Sequence, residues 1–277
     1  MTGAQNITAV LSETMATEDS VHLLGESLPL SPVCAPLLIK HAERCHLLPA
    51  ADATLIGVAI GLALAGKKPV VELAGPEALW GAIQQIGQET SAFSDEFGIT
   101  MIVRVPLGPA AMDPSGMLAD LKHIRVVSPA EPADAGSLIE SALGSNGVTI
   151  VLEPLSVLGT SGGTSGTDLN ARIIEEGDHL TLLAWGSGVQ EAKKAAKTLR
   201  KEGISSEIVD LRVLAPLDTE TVGKSIKKTG RVIMVGGSGT MMNSTINAAF
   251  LRLESPPVQV EQSTTAIVSQ ARVATQY

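Results

Sequence analysis

Aromatic side chains are nearly missing from this sequence: two Trp, one Tyr and three Phe amount to 2% of 277 residues. The core must therefore be assembled from Val, Ile, Leu, Ala and Met, which the 44% hydrophobic content supplies. Cysteine is scarce as well. Cys34 and Cys45 cannot make a disulfide framework and lack metal-type spacing, so both read as free thiols of a reducing compartment. Positive charge is the minority sign, with 20 Lys and Arg against 29 Asp and Glu and a net charge of -9. That balance speaks against nucleic acid or an anionic membrane as a partner. Long apolar runs are absent too: the stretch from Leu55 to Ala65 is too short to span a bilayer and is broken by Gly57 and Gly61. Met1 leads directly into polar residues, so no signal peptide is expected. The expectation is a soluble, cytoplasmic protein.

What is present is an alternation of apolar strands with amphipathic helices, over a length that suits two domains. Residues Ile7 to Ala16 have helical spacing, SVHLLG is a short strand, and the prolines 29, 32 and 36 delay the next helix until Ala35. The stretch from Leu47 to Pro106 organises the rest. Asp52 precedes an apolar segment carrying Gly57, Gly61 and Gly66, a strand ends in Glu72, a helix spans Glu77 to Ala92, and the strand ITMIVRVP follows. Residues 106–117 read as a loop, HIRVVSP as a strand, PADAGSLIESAL as a helix and VTIVLEP as another strand. The Gly/Ser/Thr run 159–170 has no hydrophobic anchor and reads as a hinge. Beyond it, ARIIEEGDHLTLLAWGSG suggests a hairpin-like entry to a buried strand; the helix 189–203, a strand Ser206–Asp210 and a strand Arg231–Val235 follow. His22, His41 and His46 are scattered and read as surface or internally satisfied histidines. Gly236 to Gly239 reads as a strand-to-helix turn, since no cation beside it supports a phosphate cradle.

Several of these segments carry a resemblance. Pro49, two residues and the acid Asp52, then the spaced glycines, P-V-V-E at 69–72 and A-I-Q-Q-I at 82–86 resemble the pyrimidine-binding domain of E1 β subunits of 2-oxo-acid dehydrogenases. These are transketolase-like enzymes dependent on thiamine diphosphate. L-G-E at 24–26, V-V-S-P-A-E-P-A-D-A and I-V-L-E-P are similar to the same family, and D-L-R-V-L-A-P-L-D-T-E-T with S-I-K-K-T-G-R-V resembles its C-terminal domain. The resemblance implies an α/β fold of two α/β/α domains. Residues 1–158 would be the pyrimidine-binding-like domain, 159–170 the linker and 171–277 the transketolase C-terminal-like domain. It implies a shared cofactor, thiamine diphosphate, with its magnesium held by an α-like E1 subunit. Self-association and an acyltransferase core are further partners it implies. The helix from Glu77 to Ala92 would present Leu79, Ile83 and Ile86 at a subunit interface; burial within the subunit is the alternative.

Carried over residue by residue, the resemblance makes Asp52 the catalytic acid that bonds the pyrimidine nitrogen, one methylene shorter than the family's Glu. The cofactor contacts fall on Asp52, Ala74, Ala78, Gly81 and Glu26, with Ala78 where the family stacks an aromatic ring. The loop PLGPAAMDPSG has no histidine where the family carries one, His123 is not its equivalent, and Gly236–Gly239 replaces an acid. Two functions stay open: an E1 β-like subunit with an altered pocket, or a degenerate paralogue acting as a structural or regulatory assembly partner.

Overall fold

A computed structural model describes residues 1–109, 111–163, 169–237, 239–249 and 252–276. Two compact units form, Met1–Pro114 with Leu121–Asp168, and Ser115–Asp120 with Leu169–Tyr277.

The first unit opens with α1 (Gly3–Thr17), started by a capping box in which Thr2 and Gln5 exchange side-chain bonds to each other's backbone N–H. Ile7, Leu11 and Met15, four residues apart, form its buried stripe. Next come β1 (Val21–Gly25), α2 (Ala35–Lys40), β2 (Cys45–Leu47), α3 (Asp52–Leu64), β3 (Lys68–Glu72) and α4 (Pro76–Gln84). After a π-helical turn Gln85–Thr90 the chain continues as α5 (Ser91–Phe97) and β4 (Thr100–Leu107). A short α6 (Ser115–Leu118) belongs to the second unit and falls inside the expected loop. The first unit then finishes with β5 (Ile124–Val127), α7 (Pro132–Leu143), β6 (Gly147–Pro154) and α8 (Leu155–Leu158). Its strands run β5-β6-β4-β3-β1-β2, all parallel. Helices α1 and α7 pack on each other, as do α3 and α4. A Cβ at Gly136 of α7 would lie 3.0 Å from the Asn6 carbonyl, so only glycine lets the first pair approach so closely.

The helix expected from Glu77 to Ala92 runs without a gap to Phe97 but is not uniformly α: a π turn lies within it, with Thr90 Oγ1 donating to the Gln85 carbonyl at 2.8 Å. Its supposed interface residues are mostly internal, because Leu79 and Ile86 are 0% exposed while Trp80 is 55% exposed. The Gly/Ser/Thr run is not free from its start. Gly3 N–H donates to the Thr160 carbonyl at 3.1 Å and Ala133 N–H to that of Gly162 at 3.2 Å. Residues 164–168 of this run lie outside the described residues.

The second unit contains β7 (Arg172–Glu175), β8 (Leu180–Ala184), α9 (Gly188–Lys201), β9 (Ser206–Asp210), β10 (Val213–Ala215), α10 (Thr219–Thr229), β11 (Val232–Val235), α11 (Gly239–Ala249), β12 (Val258–Val260) and α12 (Thr264–Ala274). Strands β12-β11-β8-β9 are parallel and β7 lies antiparallel on β9. The expected hairpin is therefore absent: β7 pairs with β9 rather than with β8, its neighbour in sequence. The connection passes so close to β9 that a Cβ at Gly177 would fall 2.1 Å from the Ser206 carbonyl carbon. The expected helix is α9, whose buried Val189, Ala192, Ala195, Ala196 and Leu199 face the core. Asp218 caps α10, and Gly230, at φ 69°, ends it in the left-handed conformation.

Candidate functional site

Parallel register gathers the strand ends of the first unit. Gly25 of β1 pairs with Glu72 of β3, Glu72 with Arg104 of β4, and Pro106 of β4 with Glu153 of β6. Residues opposite one another in a parallel pair share a face, so an acid, a base and an acid meet inside the sheet. Arg104, 1% exposed, donates from Nε and Nη2 to both oxygens of Glu153 at 2.8 Å, and from Nη1 to Glu72 Oε2 at 2.6 Å. The same Glu72 oxygen accepts from Ser31 Oγ at 2.7 Å and from Cys34 Sγ at 3.4 Å. Ser31 Oγ in turn takes the backbone N–H groups of Val33 and Cys34 at 3.3 and 3.1 Å, so the proline-rich segment is pinned to the strand ends.

Burial opposes the Arg104 charge, but Glu153, Cys34 and Glu72 more than offset it and raise the pKa of Arg104. Burial is also the largest influence on Glu153 and lifts its carboxyl above the ordinary range, although Arg104 pulls the other way. The geometry favours the ion pair, because both Glu153 oxygens act as acceptors in a fork-to-fork contact. Burial pushes the Cys34 thiol up to about 12. Cys34 and Cys45 are both free cysteines, as expected.

This cluster floors a cleft of about 210 Å³ whose lining includes Glu26, Glu72, Ala74 and Arg104 below apolar walls. The structure thus brings two of the sequence-derived positions, Glu26 and Ala74, into one cleft. Asp52, Ala78 and Gly81 do not line it. Asp52 stands in the first turn of α3, half-buried, and a Cβ built on Gly81 of α4 would lie 2.7 Å from its Oδ2. Asp52 and Gly81 therefore touch, while Ala78 is buried on α4 at 7% exposure. No side-chain hydrogen bond engages Asp52 among the described residues.

The loop 106–116, described except for Ala110, is followed by His123, which pairs with Asp95 at 3.4 Å. His22 and His46, read as scattered, meet across β1 and β2 with Nδ1···Nε2 2.9 Å. Gly236 and Gly237 adopt φ 75° and 89° in the turn before α11; Ser238, within the same expected turn, lies outside the described residues. Among the described residues no group of three or more His, Cys, Asp or Glu is set to hold a metal ion, and no helix is long and apolar enough to cross a membrane. Sequence reasoning missed Arg104, Glu153 and Ser31. A signal existed for the first two: a charge inside an otherwise apolar parallel strand, as in MIVRVP and IVLEP, has to find a buried partner.

Comparison with known proteins settles the family. The chain is 31% identical to the β subunit of acetoin:2,6-dichlorophenolindophenol oxidoreductase of Cupriavidus necator, over 86% of this chain and 79% of that one. It is 30% identical to the pyruvate dehydrogenase E1 component subunit beta of Leifsonia xyli subsp. xyli, over 92% and 84%. The chain belongs to the transketolase-like family of E1 β subunits. Residues 169–276 match the family described as transketolase, C-terminal domain. The fold agrees with a solved structure of a split-gene transketolase, an inactive β4 tetramer, at TM-score 0.84 and 19% identity, covering 100% of this chain and 98% of that one.

Proposed function

We propose that this chain is the pyrimidine-side half of a thiamine-diphosphate-dependent 2-oxo-acid dehydrogenase E1, completed by an α-like subunit in the cytoplasm. The observation that carries the reading is Asp52: a half-buried carboxylate at the first turn of α3 with both oxygens uncommitted to other described side chains. An acid in that state suits the cofactor's ring nitrogen, so the residues present fit the group at this point. Glu26 and Ala74 line the cleft at the strand ends, and the diphosphate with its magnesium falls to the α-like partner. Bound thiamine diphosphate supplies the electron sink for decarboxylation of the oxo acid. What this chain contributes is the acceptor at Asp52 and, at the cleft, a carboxyl group at Glu26 set among apolar walls. An acyltransferase core is the proposed destination of the assembled E1.

Titration of thiamine diphosphate into the chain plus an α-like subunit tests this. Asp52→Ala is expected to weaken binding and abolish decarboxylation, and Asp52→Glu to hold or raise it, because the shorter acid misses by about 1 Å and such misplacement costs on the order of 100-fold in rate. If neither variant changes affinity or activity, the cofactor reading fails. A second reading has its own observation. Ala78 and Gly81 offer no ring for stacking, and the Asp52 carboxylate packs into the space left by the missing Gly81 side chain. These features favour a catalytically degenerate paralogue that acts as a structural or regulatory partner. Capture of an α-like subunit without any cofactor uptake is the result that selects it.

A further inference from the structure

We propose that the cleft above Glu72 binds a small primary ammonium group carried on an apolar body, and turns carboxylates away. The inference stands without the cofactor reading, although both use Glu26 and Ala74. It rests on how the charge at the floor is shared. Arg104 is the one basic residue in the lining, and it is already committed, with two bonds to Glu153 and one to Glu72. One guanidinium thus serves two carboxyl groups, and the floor offers an incoming group acceptors but no free cation.

The two oxygens of Glu72 differ. Oε2 is filled by Ser31, Cys34 and Arg104, whereas Oε1 takes no hydrogen bond among the described residues. Glu72 is only 8% exposed and lines the cleft, so Oε1 is the acceptor left for an occupant. A planar fork such as an amidinium needs both oxygens of one carboxylate, and here only one is open. An ammonium is a point charge with three rotatable donors and is satisfied by single oxygens at different angles. Glu26, half-buried in the same lining, is the second acceptor.

The walls define the rest of the ligand. Leu30, Val33, Leu155 and Leu158 present only hydrocarbon. A cavity of about 210 Å³ is somewhat larger than the apolar cavity of about 150 Å³ that takes up benzene, a ligand of six heavy atoms. That suits an amine with about five carbons. A 2-oxo acid, in contrast, would bring its carboxylate against Glu72 and Glu26, so its acid end is not received here.

The test uses the full chain alone, without partner or cofactor, in low salt at neutral pH. Pentylammonium, 1-pentanol and pentanoate are titrated by calorimetry, with ligand-observed NMR as the second readout. Pentylammonium is expected to bind with a Kd of about 1 mM or tighter, a bound typical of so small a ligand. Pentanol should be at least about tenfold weaker, and pentanoate silent. Glu72→Gln and Glu26→Gln should each weaken pentylammonium about tenfold. Because Glu72→Gln disturbs the Arg104 cluster, its fold is checked by circular dichroism. If it has unfolded, Glu26→Gln and the rim substitution Leu155→Trp, at a residue 44% exposed, decide the matter. Equal binding of pentanol or pentanoate overturns the proposal. So does undiminished pentylammonium binding in both Glu26→Gln and Leu155→Trp, or no pentylammonium binding at all.

Discussion

Arg104 links three strands of the first unit through buried hydrogen bonds. It ties β3, β4 and β6 to the proline-rich segment through Glu72, Glu153 and Cys34. Arg104→Met would leave Glu153, 0% exposed, without a counter-charge. The expected loss is about 3–5 kcal/mol, read as a drop in the urea midpoint. Arg104→Lys keeps the charge but loses the fork, so it should fall between the two. An unchanged midpoint in Arg104→Met would show that the cluster does not stabilise the fold. Cys34 gives a second prediction at this scale. With its thiol pushed up to about 12 by burial, it should resist alkylation at pH 8 in the native protein and react once urea unfolds the chain. Rapid labelling without urea would contradict the burial on which this rests.

At the scale of elements, α10 offers a pH-dependent handle. Asp218 accepts from the N–H of Thr221 at 3.0 Å through Oδ1 and from that of Ala171 at 3.2 Å through Oδ2. Burial pushes its pKa up, but these backbone bonds outweigh it and hold the carboxyl below its ordinary 3.8. A depressed acid contributes stability that is complete above the unfolded value and is lost as pH falls through the folded one. The loss therefore belongs below about pH 3.8. Asp218→Ala should cost about 1 kcal/mol at neutral pH, whereas Asp218→Asn, an equally good cap, should keep most of the stability and flatten the acid limb. Denaturation between pH 2 and 5 compares the three.

The His22–His46 pair acts in a different window at the edge strand β2. Desolvation, then His46, Lys67 and Arg44, lower the pKa of His22 from its ordinary 6.5. A lowered base disfavours protonation, so the fold loses stability as pH falls below about 6.5. His22→Gln should remove that dependence, seen as hydrogen-exchange protection factors in β2 that no longer change between pH 5 and 7.

For the whole molecule, α3 supplies a prediction about assembly. The helix is apolar nearly all round, yet Gly57, Val58, Gly61 and Leu64 face solvent, and a Cβ at either glycine would meet nothing within 4 Å. Sedimentation should return a species heavier than the 28.6 kDa chain, and Gly61→Lys should shift it toward the monomer. A single 28.6 kDa species at micromolar concentration, with and without an α-like partner, would count against assembly. The sequence by itself determined the alternation of strands and helices, their order and the family. Those properties follow from local periodicity and from motifs such as P-V-V-E that are contiguous in the chain. The place of Asp52 at a helix start was legible for the same reason. The partners of Arg104 were not, because Glu72 and Glu153 lie 32 and 49 residues away, and only strand register places them on one face. The pairing of β7 with β9 and the meeting of His22 with His46 were equally hidden. Each depends on which strands become neighbours, a choice made by burial of whole surfaces rather than by any local stretch of chain.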